Sequence, residues 1–301
     1  MRRLPSLDSL RLVEVVGRRR SFTLAAAELN VTPGAVSQRI KALEDDLGVK
    51  LFDRGHEMAL TDKGRVLVGK LEIAFREIAL GVELVSPMEA PSILTISLLP
   101  AFASRWLLPR LAAFSSQFPD IQIKINADPY LVGFESDEVD IAIRFGGGIW
   151  PGLQAIKLFD ERLFPVASPL FNDGKLPRNY EDLLNLPLLQ DERLPWSMWF
   201  RVARLPTNHP VKGTSFSDAD LLLQAAAAGR GVALARSSLV AEDIESGRLI
   251  RLFDLEAVPD YSYFLVYPRQ SERLPKVKAF RNWLLDEAKR FKSRVADDNS
   301  S

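Results

Sequence analysis

The side chains best placed to do chemistry in this 301-residue chain lie close together near its start. Ser37, Gln38, Arg39 and Lys41 put hydroxyl, amide, guanidinium and ammonium donors within five residues, behind the small residues Gly34 and Ala35. Such donors bond to base edges or phosphates, and small residues let a helix end approach them closely. Catalytic chemistry has no comparable foothold. The chain has no cysteine, which excludes disulfides, cysteine-ligated zinc, iron–sulfur clusters and thiol nucleophiles. Its two histidines, His56 and His209, are far apart and form no metal-binding spacing. No spacing singles out a pair among Asp, Glu, Ser and Lys, and the Gly146–Gly148 run lacks the Lys-Ser/Thr and helix of a phosphate loop. The expectation is a protein that is no enzyme and carries neither metal nor cofactor.

Two short helices must position the donors. Ser21 is suited to cap a helix over Phe22 to Leu29, and Asn30-Val31-Thr32-Pro33 interrupts the pattern. Thr32 can cap the next helix with Pro33 at its first position. Val36, Ile40, Leu43 and Leu47 then share one helical face, leaving Ser37, Gln38, Arg39 and Lys41 off it. This reads as a helix-turn-helix whose second helix enters a major groove; the competing reading is a buried helical hairpin with a solvated polar face. A helix with Leu7, Leu10, Val13 and Val16 precedes it, capped by Ser6 and closed by Gly17 and Arg18–Arg20. The basic run suits either a helix C-terminus or phosphate. After it, residues 49–55 and 58–61 read as a small wing with Arg54 at its tip, in reach of the minor groove or backbone, and His56 exposed beside it. Net charge is zero, but residues 1–41 hold eight Lys/Arg against three Asp/Glu, the local excess of a nucleic-acid-binding module.

Thr61 caps a helix predicted over 62–85, about 36 Å long at 1.5 Å per residue. Its apolar residues are too widely spread for the wing domain alone, so it reads as a linker helix pairing with a second subunit, or packing on its own chain. Pro87 and Pro91 mark a hinge, and the pattern then turns α/β. Strands are predicted at 93–99, 121–125, 139–145, 163–167, 231–235 and 263–267. Helices are predicted at 104–117, 217–228, 240–246 and 275–294, with an irregular tail from Ala296. The alternation implies a mainly parallel, doubly wound sheet. Trp196 and Trp199 read as packing residues. No signal peptide or membrane span is recognisable, so the chain is expected to be cytoplasmic and independent of membranes.

The words SFTLAAAELNVTPGAVSQRIKALEDDLGVKLFDR, LTDKG, LTISLLPAFASRWLLPRLAAF, DEVDIAIRFGGGIWPGL, LLLQAAAAGRGVAL and GRLI together resemble a LysR-type transcriptional regulator over essentially the whole chain. They look most like the subgroup of the glycine-cleavage-operon activator and the β-lactamase regulator. The resemblance implies a winged helix-turn-helix at 1–61, a linker and dimerisation helix at 62–90, and a two-lobed α/β domain like a periplasmic binding protein at 91–301. Lobe I would be 91–164 and 267–301, lobe II 165–266, with crossings near Pro165 and Tyr267. Thr32, Pro33, Gly34, Ala35, Ser37, Gln38, Arg39, Lys41 and Arg54 would contact double-stranded promoter DNA. A small-molecule effector would lie between the lobes against Pro100, Ala101, Phe102, Ser104, Asp128, Arg144, Phe145, Gly146, Ser217, Asp218 and Tyr263. Asp128 would act together with Pro129. A Ser or Thr is common in relatives where Ala101 stands. Asp218 and Asp220 would favour an amine and Arg144 a carboxylate, implying an amino acid or other zwitterion. The alternative is that Arg144 and Asp218 pair with each other or with the backbone. Partners implied are a dimer through the linker helix, a dimer of dimers and RNA polymerase. The competing function is a solute-binding module without DNA regulation.

Overall fold

The computed structural model describes residues 4–54, 58–85, 92–128, 134 and 139–298. The chain falls into two compact units, one spanning Met1–Pro87 and one built from residues that follow. In the first unit, α1 (Leu7–Arg19), α2 (Phe22–Glu28) and α3 (Pro33–Leu47) precede a two-stranded antiparallel wing, β1 (Phe52–Arg54) and β2 (Met58–Leu60), and α4 (Asp62–Val85). Gly55 and His56, the expected wing tip, lie outside the described residues.

The caps are those expected. Ser6, Ser21 and Thr32 each accept from the backbone N–H three residues on, and Thr61 accepts from Gly64 N. Gly17, however, lies inside α1 and does not end it; Arg20, at φ 49°, caps the helix. A Cβ on Gly17 would stand 2.6 Å from the Val68 side chain, so the glycine lets α1 and α4 approach closely. Arg18 is held by Glu14 and Glu28 and Arg19 by Glu28, so these two are structural ion pairs. Val13, Val16, Val36, Ile40 and Leu51 are fully buried together with Val68 and Leu71 of α4. Along α4, Val66, Ile73, Ile78 and Val82 are about half or more exposed. The helix thus packs on its own head through Val68 and Leu71 and leaves other apolar residues uncovered.

The second unit holds two five-stranded sheets. Lobe I has the order β4-β3-β5-β12-β6, from β3 (Ser92–Leu98), β4 (Ile121–Ala127), β5 (Ile141–Gly146), β6 (Leu153–Asp160) and β12 (Ser262–Pro268). Lobe II has β11-β7-β10-β8-β9, from β7 (Leu163–Ala167), β8 (Leu188–Asp191), β9 (Ser215–Phe216), β10 (Val232–Arg236) and β11 (Ile250–Arg251). β3 pairs parallel with β4 and β5, but β12 runs antiparallel to β5 and β6, and β10 antiparallel to β7. The sheets are therefore mixed and not mainly parallel, because β12 returns from lobe II and enters lobe I backwards.

The crossings fall at residues 161–162 and 252–261, earlier than expected. Pro165 sits inside β7 opposite Leu234, and Tyr267 inside β12 opposite Gln154. The charged triplet Asp160-Glu161-Arg162 stands at the outward crossing. The helices are α5 (Pro100–Phe102), continued by a π-helical turn at Ala103–Leu107, then α6 (Leu108–Gln117), α7 (Ser197–Val202), α8 (Ala219–Ala227), α9 (Ser237–Glu245) and α10 (Pro275–Asp298). α10 continues to Asp298, into the tail expected to be irregular from Ala296. Among the described residues no helix is long and apolar enough to cross a membrane.

Glu44 ties the end of α3 to the wing. Its buried carboxylate accepts from Leu51 N at 2.7 Å and Phe52 N at 3.1 Å, with Lys50 Nζ at 3.4 Å. Burial raises its pKa, but the two backbone donors and Lys50 outweigh this and hold the carboxyl below the usual range. Glu44→Ala should lower the stability of the chain by about 1–3 kcal/mol, read as a reduced urea midpoint. The contribution of Glu44 is fully present above the ordinary glutamate range and is lost as pH falls through its depressed folded value. The gap between wild type and variant should therefore close on acidification.

Candidate functional site

α3 is presented by its own buried face. Val36 and Ile40 are fully buried and Leu43 nearly so, which sets the rotation of the helix. Thr32, Pro33, Gly34, Gln38, Arg39 and Lys41 are exposed, and Ala35 and Ser37 half-buried, at or beside its N-terminal end. The turn before it is held by backbone bonds from Leu29 N, Asn30 N and Val31 N to the carbonyls of Ala25, Ala27 and Ala26, with Asn30 at φ 53°. A Cβ at Gly34 would meet no atom within 4 Å, so no packing demands glycine there. Arg54 is the last residue of β1, paired in register with Met58. Eight of the nine residues expected at DNA thus share one helix start, and the ninth is on the wing.

In the second unit a cavity of about 540 Å³ opens between the lobes. Asp128, Arg144, Phe145 and Gly146 are on its wall, as expected; Ile149, Trp150, Arg193 and Tyr261 are among its other lining residues. Arg144 is 5% exposed and its Nη2 donates to Ser97 Oγ at 2.9 Å. Burial pushes the Arg144 pKa down, with the Asp128 carboxylate opposing. Phe145 carries the Arg236 guanidinium 4.9 Å above its ring and packs against Tyr261 and Tyr263. The walls missed in the sequence come from a turn after β5, a loop after β8 and the return crossing, none of which carries a periodic signal.

The remaining expected effector residues lie elsewhere. Phe102 and Tyr263 are fully buried in an aromatic core, ring centroids 4.4 Å apart, and the Tyr263 hydroxyl accepts from Arg236 Nη1 at 3.0 Å. Ala101 is buried and Pro100 half-buried. Asp218 caps α8, accepting from Asp220 N at 2.9 Å and Leu221 N at 3.2 Å, with Ser217 exposed before it. Asp220 is bonded to Ser104 and Arg105. The two acids expected to meet an amine are therefore engaged by the fold, and Arg144 pairs with neither; the carboxylate on the cavity wall is Asp128. Trp196 and Trp199 are core residues, their indoles bonded to the carbonyls of Leu189 and Leu255.

Two families match. The bacterial regulatory helix-turn-helix protein of the lysR family covers residues 7–65, and the LysR substrate binding domain covers residues 89–289. This chain belongs to the LysR family of transcriptional regulators. It is 40% identical to the glycine cleavage system transcriptional activator of Escherichia coli strain K12 over 290 residues, 95% of each chain. Among solved structures, the effector domain of the regulator AmpR of Pseudomonas aeruginosa matches at 33% identity with a TM-score of 0.61, over 68% of this chain and 99% of that one. CrgA of Neisseria meningitidis, a LysR-type regulator, matches at 25% identity with a TM-score of 0.56, over 95% and 99%. As a LysR-family member the chain is a DNA-binding, effector-responsive, oligomerising regulator and no enzyme. A solute-binding module without a DNA-binding head is excluded by the helix-turn-helix match.

Tyr263→Phe removes one of the hydrogen bonds that hold the buried Arg236. It should destabilise the protein by about 1.5–3 kcal/mol, the range for a bond to a charged group, visible as a lower melting temperature.

Proposed function

We propose that the protein reads promoter DNA with the start of α3, Thr32 to Lys41, steadied on the backbone by Arg54, and that a small metabolite in the inter-lobe cavity adjusts this binding. The observation that carries the reading is the exposed donor set on a helix whose opposite face is buried. Pairing of two chains through the uncovered apolar residues of α4 is supported by the exposure of Val66, Ile73, Ile78 and Val82. That dimer assembles further into a dimer of dimers, acts in the cytoplasm and passes its signal to RNA polymerase. The division into a head at 1–61, a linker at 62–90 and an effector domain from 91 onward belongs to this reading.

For the effector we favour an amino acid or other zwitterion, its carboxylate toward Arg144 and its amine toward Asp128 in place of Asp218. Calorimetry of the whole protein against an amino-acid panel should give heat for at least one member; a flat response from a protein shown to be folded removes this class.

The regulator reading is tested by selecting bound fragments from a genomic library and footprinting them. A protected site of successive, roughly palindromic half-sites is expected. Arg39→Ala should weaken binding to that site by about tenfold without lowering the melting temperature. Lys41→Ala should reduce the slope of log affinity against log salt by about one, as for a lost phosphate contact. An unchanged affinity and slope would remove these residues from the interface.

A further inference from the structure

One polar cluster joins the two lobes without taking part in the cavity wall. Arg105 belongs to lobe I, on the π-helical turn that follows α5. Its Nε donates to Asp220 Oδ1 at 2.6 Å, and its Nη1 reaches the Asp243 carboxylate and, at 3.5 Å, the Leu239 carbonyl. Asp220 is in the first turn of α8 and Asp243 and Leu239 are on α9, all in lobe II. The second oxygen of Asp220 accepts from Ser104 of lobe I at 2.9 Å. The Arg105 side chain is 13% exposed and Asp243 only 2%. One guanidinium therefore holds two carboxylates on two helices of the opposite lobe, largely out of water.

We propose that Arg105 sets the angle between the lobes and, through it, the affinity of the cleft for its effector. The inference rests on the regulator reading for its biological consequence but not for its geometry. The cavity takes Asp128, Arg144 and Trp150 from lobe I and Arg193 from lobe II, so its shape follows the lobe angle. Without the guanidinium, Asp220 loses its cation and Asp243 keeps only the Arg248 pair on its outer side. Across the junction Asp220 then keeps the Ser104 hydroxyl without a cation, and Asp243 loses its link to Arg105. A lysine restores the charge but not the fork that reaches both acids. An effector that needs another lobe angle must break the clasp, so the strength of the clasp enters its apparent affinity.

The chain has no native cysteine, so labels can be placed without removing any. Ser115→Cys on α6 and Glu245→Cys on α9, both exposed, put spin labels on the two lobes. The labelled full-length protein is diluted into unlabelled protein, and the label-to-label distance is read by pulsed dipolar spectroscopy. Arg105→Met should shift or broaden the distribution and Arg105→Lys should do so less. Asp220→Asn added to Arg105→Met should change little further, because both remove the same link. On the promoter identified by selection, Arg105→Met should move output by roughly fivefold or more, the lower end of coupling between sites. A folded Arg105→Met protein with an unaltered distribution overturns the proposal. If that variant does not fold, unaltered distances in both Arg105→Lys and Asp220→Asn do the same. Failure of the unsubstituted protein to select DNA would instead strike the regulator reading and leave the distance result standing.

Discussion

The effector domain depends on the neutralisation of charge where the chain crosses between lobes. Arg236, at the end of β10, is almost wholly buried, paired with Asp191 at 2.8 Å, bonded to Tyr263 of lobe I and stacked over Phe145. Beside it Glu161, the first residue of the outward crossing, accepts from the hydroxyls of Ser237 and Ser238 and from Ser238 N. Burial pushes the Glu161 pKa up, and these donors only oppose it. A buried ion is tolerated when its partners are close and its hydrogen-bonding capacity is used. Removing one partner leaves the others stranded. The lobes therefore meet through a network of buried charges and hydrogen bonds.

The same network reaches the cavity. Phe145 lies on the cavity wall with the Arg236 guanidinium over its ring, and Arg193, two residues after Asp191, donates its backbone N–H to Asp191 Oδ1. Phe145 and Arg193 are both in contact with the Arg236–Asp191 pair. The cavity wall and the lobe junction thus share side chains.

The head solves a different problem with different means. Its donors must be held still, so apolar packing sets α3, glycine lets α1 sit tightly on α4, and Glu44 bonds the end of α3 to the wing. Where the effector domain uses buried charge between lobes, the head uses close packing, which admits few alternatives.

The head was legible in the sequence because its determinants are local. Thr32 and Pro33 start α3, the spacing of Val36, Ile40 and Leu43 sets its inner face, and the outer face follows by elimination. The long helix 62–85 and the strands near 93–99, 121–125 and 163–167 were readable for the same reason. Strand direction was not, because whether β12 runs with or against β5 depends on a connection through the other lobe. Asp218 illustrates the limit at the site. Its charge suggested a ligand contact, while its place one residue before α8 made it a helix cap, and only the folded chain decides between the two. Trp150, Arg193 and Tyr261 are brought together from three separate segments by the double crossing, and no local pattern records that meeting. The sequence by itself determined which residues face outward on each element; the tertiary structure decided which of those faces meet, because that depends on contacts between residues far apart in the chain.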